Sequence, residues 1–250
     1  QNNTTPLQTI VAANTFDKGV YLNGSTTVGL SIQGFIAAVP ASTTINVLGG
    51  TYTENVDATG NSVTLAPGAS TSKVVINGSL LMDANDGLAF DVNGVTAGAG
   101  YDQFEVAGAV TLGGAASSFG GTYPVFTGQT IVLVSNDMAD PVTGILAGLA
   151  EGATIPNFIG SGLPAQISYT GGDGNDVVLT ILGVSVVGPN LVIESPSGSG
   201  TSNDSVTLVI NGPNLRLSDP NNPLFAGPGA VQIDPNTIEI PLASLTGSIV

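Results

Sequence analysis

Apolar residues occur along this chain in short bursts separated by glycine, asparagine and proline. Thr44–Leu48, Thr51–Val56, Val63–Leu65, Lys73–Ile76, Leu80–Met82 and Leu88–Val92 read as strands, because β-branched and alternating apolar positions suit a pleated surface. Gln103–Val106, Ala109–Leu112, Thr130–Val134, Gln166–Tyr169 and Asp176–Leu182 extend the series. Breaks fall at Asn77-Gly78, Asn93-Gly94 and Gly113-Gly114, which favour tight turns. Such runs are short for a sandwich and suit short parallel faces with sharp corners. Continuous apolar stretches such as Val74-Val75-Ile76 fit strands covered on both sides. One segment has helical spacing. Ser31 can cap it, Ile32, Phe35, Ile36 and Val39 share a face, and Pro40 stops it.

The texture changes near Leu182–Gly188. Beyond that point Leu191–Glu194, Ser205–Ile210, Asn214–Leu217, Ala230–Ile233 and Thr237–Leu242 read as strands. The paired phrases Asn-Leu-Val-Ile and Asn-Leu-Arg-Leu predict hairpins, and Leu245–Val250 a terminal strand with an open edge. The division predicted is therefore residues 1–183, a parallel solenoid with a short capping helix near 31–39, and residues 184–250, a smaller β-rich module continuing in a larger parent.

Composition narrows the chemistry. Charged residues make up 8% of the chain, against about 25% in ordinary soluble domains. Uncharged hydroxyls and amides must therefore supply most of the polar surface. The net charge is −15, and the basic residues are Lys18, Lys73 and Arg216. Nucleic acid and anionic membrane surfaces are poor partners, since both need clustered cations. The absence of Cys excludes disulfides and thiolate metal sites. The longest apolar stretch, Val177–Val187, is broken by Thr180, Gly183 and Ser185, too short a run for a membrane helix. The start at Gln1, without Met or an apolar leader, fits a chain whose signal peptide has been removed, or a piece of a longer one.

Candidate chemistry is sparse. The chain has no His, and its carboxylates are scattered singly, whereas glycoside hydrolysis needs two positioned acids. Asp83, Asp86 and Asp91 could line one face, but their spacing across Asn85 and Gly87 reads better as a solvated turn. Gly171–Asp176 (Gly-Gly-Asp-Gly-Asn-Asp) fits a single copy of a calcium nonapeptide, with Asp173 and Asp176 supplying charge. True calcium β-rolls stack several copies, so the competing reading is a hairpin or corner turn. Asn2, Asn3, Asn23, Asn77 and Asn203 sit in N-x-Ser/Thr sequons, a frequent coincidence in a chain rich in these residues. The five tyrosines fit packing roles better than a sugar platform.

Two resemblances rest on these residues. Ser31–Val56, running from Ser-Ile-Gln-Gly-Phe-Ile to Gly-Gly-Thr-Tyr-Thr-Glu-Asn-Val, resembles the opening of right-handed parallel β-helix proteins of the pectin-lyase-like type. There a short helix caps the first turn. Gly100–Phe104, Val106–Gly114, Val132–Asp137, Val142–Gly152 and Tyr169–Thr180 are similar to autotransporter-associated β-strand repeat regions. The C-terminal part is similar to linker-like modules of very large bacterial surface proteins. These resemblances imply an all-β chain, a right-handed parallel β-helix with a smaller C-terminal β module. They also imply a secreted or cell-surface location after signal-peptide removal. The function expected is a non-catalytic structural or adhesive module of a surface or extracellular-filament protein. It would self-associate through β edges, with Leu7–Ala13 a candidate incoming strand, or contact neighbouring surface proteins. The alternatives are a carbohydrate-binding or carbohydrate-cleaving β-helix and a calcium-stabilised spacer. No other cofactor, nucleic acid or membrane insertion is expected.

Overall fold

The computed structural model describes residues 20–22, 31–137, 140–194 and 205–249. Among the described residues strand accounts for 46% and helix for 5%, so the class is all-β, with parallel sheets. Leu7–Ala13 and the sequons at Asn2, Asn3, Asn23 and Asn203 lie outside the described residues.

Strand β1 (Val20–Leu22) precedes helix α1 (Ile32–Ile36). Three strands follow in close succession: β2 (Thr43–Val47), β3 (Gly50–Tyr52) and β4 (Val56–Asp57). The order repeats in β5 (Val63–Pro67), β6 (Lys73–Ile76) and β7 (Leu80–Leu81), and again in β8 (Gly87–Asp91), β9 (Gln103–Val106) and β10 (Val110–Thr111). Strands β11 (Ala116–Gly120) and β12 (Thr130–Asn136) begin a further set. Next come β13 (Thr154–Ile155), β14 (Ala165–Gly171), β15 (Asp176–Ile181), β16 (Gly183–Val187) and β17 (Asn190–Glu194). The last four are β18 (Thr207–Asn211), β19 (Asn214–Ser218), β20 (Val231–Asp234) and β21 (Thr237–Pro241).

The chain forms two compact units. The first holds the residues up to Gly121 with Val132–Gly148 and Tyr169–Val177; the second holds Thr122–Ile131, Leu149–Ser168 and Val178–Val250.

In the first unit each strand pairs in parallel with its counterpart in the next set. The pairings run β2-β5-β8-β11, β3-β6-β9-β12 and β4-β7-β10, and β1 adds antiparallel to β2. Register places like side chains over like. Ile45, Leu65 and Leu88 align, as do Val74, Phe104 and Val134, and Val56, Leu80 and Val110. All nine are buried to within 1%. A Val, Leu, Ile or Phe side chain so buried contributes roughly 1.5–3 kcal/mol, and stacking lets the branched side chains interlock from set to set. The third ladder is only two residues wide, yet it continues past its strands. Ala58 N–H donates to Leu81 C=O, Met82 N–H to Thr111 C=O, and Leu112 N–H to Thr143 C=O. Close stacking demands glycine at Gly78, where a Cβ would lie 2.1 Å from the Glu54 carbonyl oxygen.

Helix α1 is shorter than the predicted 31–39 but is capped as expected: Ser31 Oγ accepts from Gly34 N–H at 3.0 Å, and Ile32 and Ile36 are buried. What holds it was not anticipated. The Glu54 carboxylate accepts from Ile32 N–H at 2.8 Å, Gln33 N–H at 3.3 Å and Ser31 Oγ at 2.6 Å. The Gln33 amide bonds both the N–H and the C=O of Asp57. Serving the helix in this way interrupts the predicted strand Thr51–Val56, which divides into β3 and β4 with Glu54 between them.

In the second unit β18, β19, β21 and β20 form an antiparallel sheet in that order. Leu215, Leu217, Ile238 and Ile240 of its two middle strands join Val184, Leu191 and Leu224 in one apolar cluster. Each Asn-Leu phrase does lie in a hairpin: β18–β19 closes at Asn211↔Asn214, and β17 closes at Val187↔Asn190 with β16, a strand formed inside the predicted boundary. The expected terminal strand Leu245–Val250 does not form among the described residues. Its backbone is taken up at the β16–β17 turn, with Gly247 N–H donating to Pro189 C=O, Ser248 N–H to Asn190 Oδ1 and Leu191 N–H to Ser248 C=O. Only an isolated parallel bridge, Leu191↔Ile249, remains.

Candidate functional site

The outward positions of β2, β5, β8 and β11 carry small side chains. Asn46 aligns with Ala66, Ala89 with Ser118 and Asp91 with Gly120. Alternation buries the intervening Ile45, Val47, Leu65, Leu88 and Phe90 and leaves this face low. The result is a groove of about 470 Å³, floored by alanine and glycine and edged by Thr44, Asn46, Ser118, Phe119 and Asp91. Phe119 stacks on Phe90 with centroids 6.1 Å apart and planes 16° apart, and Phe90 meets Phe104 edge-on at 6.1 Å. Gly120 leaves room for a carboxylate, since a Cβ there would lie 2.6 Å from Asp91 Oδ1.

Asp102 lies at this groove and is 2% exposed. Its Oδ1 accepts from Ser72 N–H and its Oδ2 from Asp91 N–H, each at 2.7 Å. Burial pushes its carboxyl up to about 7. The two backbone donors oppose that shift, and the Asp91 charge adds to it. A carboxyl protonated near neutrality beside a second acid is the pairing glycoside hydrolysis uses. Here, however, both oxygens of Asp102 face backbone donors, so its proton is not directed at a ligand.

The residues singled out in the sequence fall elsewhere. Gly171–Asp176 turns between β14 and β15, with Gly174 N–H donating to Gly171 C=O at 2.8 Å. Asp173 is exposed at the turn, whereas Asp176 is 8% exposed and its Oδ1 accepts from Asn136 N–H at 2.8 Å. Burial raises the Asp176 pKa and the Asp173 charge adds to the rise. Gly172, at φ +59°, packs its backbone onto the same carboxylate, where a Cβ would meet Oδ2 at 1.9 Å. These commitments fit the turn reading. Among the described residues no three His, Cys, Asp or Glu side chains gather so as to hold a metal ion.

Asp83 and Asp86 do not form a wholly solvated turn. Asp86 is 3% exposed and accepts from Asp83 N–H at 2.8 Å and Val63 N–H at 3.2 Å, and burial raises its pKa. Asp83 accepts from Asn85 N–H at 2.8 Å and from Gly60 N–H at 2.7 Å; these bonds lower its pKa. Tyr52, Tyr101 and Tyr169 are buried, and Tyr169 Oη accepts from Leu146 N–H at 2.9 Å, a packing role. Sequence reasoning passed over Asn46, Asp102, Ser118 and Phe119. They are far apart in the chain and converge only through the parallel register, for which the phrase Gly100–Phe104 was the sole local sign.

No protein-family model matches this chain, and no curated protein or solved structure matches it.

Proposed function

We propose that this chain is a non-catalytic structural or adhesive module of a secreted cell-surface or extracellular-filament protein. In this reading residues 1–183 coil as a right-handed parallel β-helix of autotransporter-like type, and residues 184–250 form an appended β module. One observation carries it: the same three strands recur in the same order, each in parallel register with its counterpart. Such a coil makes a rod whose stability grows with each added turn, and it exposes few charges to proteases or counter-ions. Self-association through β edges and contact with neighbouring surface proteins follow from the same architecture. Negative-stain electron microscopy of the purified chain, with sedimentation velocity, tests the reading. Rods that associate end to end or side by side are expected; compact particles monomeric at every concentration would overturn it.

A second reading, carbohydrate binding or cleavage, draws on the groove at Asp91, Ser118 and Phe119. A Ser118→Trp variant fills that groove. Loss of glycan-array binding or of reducing-end release in this variant alone would favour the second reading. Silence of the wild type in both assays favours the first.

A further inference from the structure

The two outer strands of the C-terminal sheet are finished differently. In β20 the register shifts between Gln232 and Asp234, and the Gln232 side chain bonds Ala226 N–H, Asp234 C=O and Thr237 C=O. A bulge, a carboxylate and a tied side chain are devices that blunt an edge. Strand β18 has no bulge and no carboxylate, and its one tied side chain, Asn211 Nδ2 donating to Glu239 Oε1 at 2.6 Å, lies at its last residue beside the turn. It reads Thr-Leu-Val-Ile-Asn, without charge or proline, and all five residues are exposed. Leu208 is 41% exposed, Val209 52% and Ile210 70%.

Register assigns the faces. Leu208 lies opposite Leu217 and Ile210 opposite Leu215, so both extend the face that bears the apolar cluster. Val209 lies opposite Arg216 on the other face. The two-residue loop Gly212-Pro213 closes on Asn211↔Asn214, and such loops close on a hydrogen-bonded pair. By alternation Leu208 and Ile210 then point their N–H and C=O groups away from β19, toward whatever lies beyond the edge.

We propose that β18 is a homotypic docking edge, where two copies of this chain join antiparallel, β18 to β18, about a two-fold axis at Val209. The inference rests on the self-associating reading above and names its surface. Two observations select a second copy as the occupant. Reversed about Val209, the strand is its own complement: Leu208 meets Ile210 of the partner subunit, Thr207 meets Asn211 of the partner subunit, and Val209 meets itself. Charge points the same way. At −15 per chain two copies repel, and the contact that adds least to that repulsion is one that buries no charge; β18 carries none. Opposite Val209, Arg216 pairs with Glu239 at 2.6 Å, while the Asp219 carboxylate, which accepts from Ser205 N–H, lies past the start of the strand. A contact between identical surfaces closes at the dimer, so this edge links rods in pairs and does not propagate a fibre by itself.

Sedimentation velocity on the full chain tests the proposal with Val209→Lys and Val209→Glu, each checked for fold by circular dichroism. On the axis each variant sets like charges face to face, so each alone should associate at least tenfold more weakly than wild type. An equimolar mixture should restore dimers, because Lys then faces Glu. Association that survives both variants, or that is lost only on deleting residues 1–19, overturns the edge assignment and leaves self-association standing. A mixture that fails to recover also overturns it. A wild-type chain that stays monomeric at the highest attainable concentration overturns both.

Discussion

Asp102 shows how one side chain can set a pH response. In the unfolded chain its carboxyl titrates near the ordinary 3.8; in the folded chain burial holds it at about 7. Between those values the folded state keeps a proton that the unfolded state releases, so stability falls as pH rises through this window and levels off above it. Asp86, Asp176 and Glu194 are also raised by burial and act in the same sense, whereas Asp83 and Glu239 are lowered and act oppositely. The contribution of Asp102 is therefore isolated as a difference. Wild type should lose roughly 1–3 kcal/mol more than Asp102→Asn between pH 5 and pH 8, read from denaturant melts at both pH values. Equal losses would remove Asp102 as the source. Glu54 makes a different argument at the same scale. It satisfies donors at Ser31, Ile32 and Gln33 that no helical carbonyl can reach. Glu54→Ala should lower stability by about 1–3 kcal/mol and expose Ile32 and Ile36, whereas Glu54→Gln, which keeps one acceptor, should lower it less. Ser31 was readable as a cap because its partner is three residues away. Glu54 was not, because its partners are reached only when the chain returns.

At the scale of elements, the sequence was most legible where local rules suffice. Lys73–Ile76 and Gln103–Val106 are strands over the predicted residues, since a continuous β-branched run in the first and apolar alternation in the second are each followed by a clear turn signal. Strand β11, Ala-Ser-Ser-Phe-Gly, has no such pattern and exists because β8 offers it a ladder. Strand β16 was obscured in the reverse way. The sequence ends a strand at Leu182 and reads Leu182–Gly188 as a boundary, and the strand inside that boundary shows only once Gly183–Val187 pairs with β17. The Gly171–Asp176 turn was legible as a turn and ambiguous as a metal loop. The commitment of Asp176 to Asn136 N–H and the packing of Gly172 against its carboxylate predict that the turn holds its shape without an ion. Excess chelator should leave the melting temperature within about 1 °C. A rise of several degrees on adding millimolar Ca²⁺ to chelated protein would show that Asp173 and Asp176 do bind it, because a ligand that binds only the folded state stabilises it by mass action.

For the whole molecule, the all-β class was legible from composition and turn spacing, whereas the groove was not, because it is made by stacking and not by any one segment. The β18 edge is set by sheet order: β18 pairs with its hairpin partner β19, and β21 takes the other side of β19 and not of β18. Net charge now becomes an experimental handle. Each chain carries −15 with three basic residues, two of which, Lys73 and Arg216, are already paired with Glu105 and Glu239. Little cationic surface remains for holding copies together by ion pairs. Association must then come from apolar contact and backbone pairing, working against a repulsion that salt screens. The Debye length falls from about 30 Å at 0.01 M salt to about 8 Å at 0.15 M. Raising salt across that range should therefore strengthen self-association of the wild type several-fold, measured by sedimentation equilibrium. The opposite trend, weaker association at higher salt, would mean that charged pairs make the contact and that β18 does not. In the equimolar Val209→Lys and Val209→Glu mixture, the engineered pair adds an attraction that salt also screens, so its gain with salt should be smaller than that of the wild type.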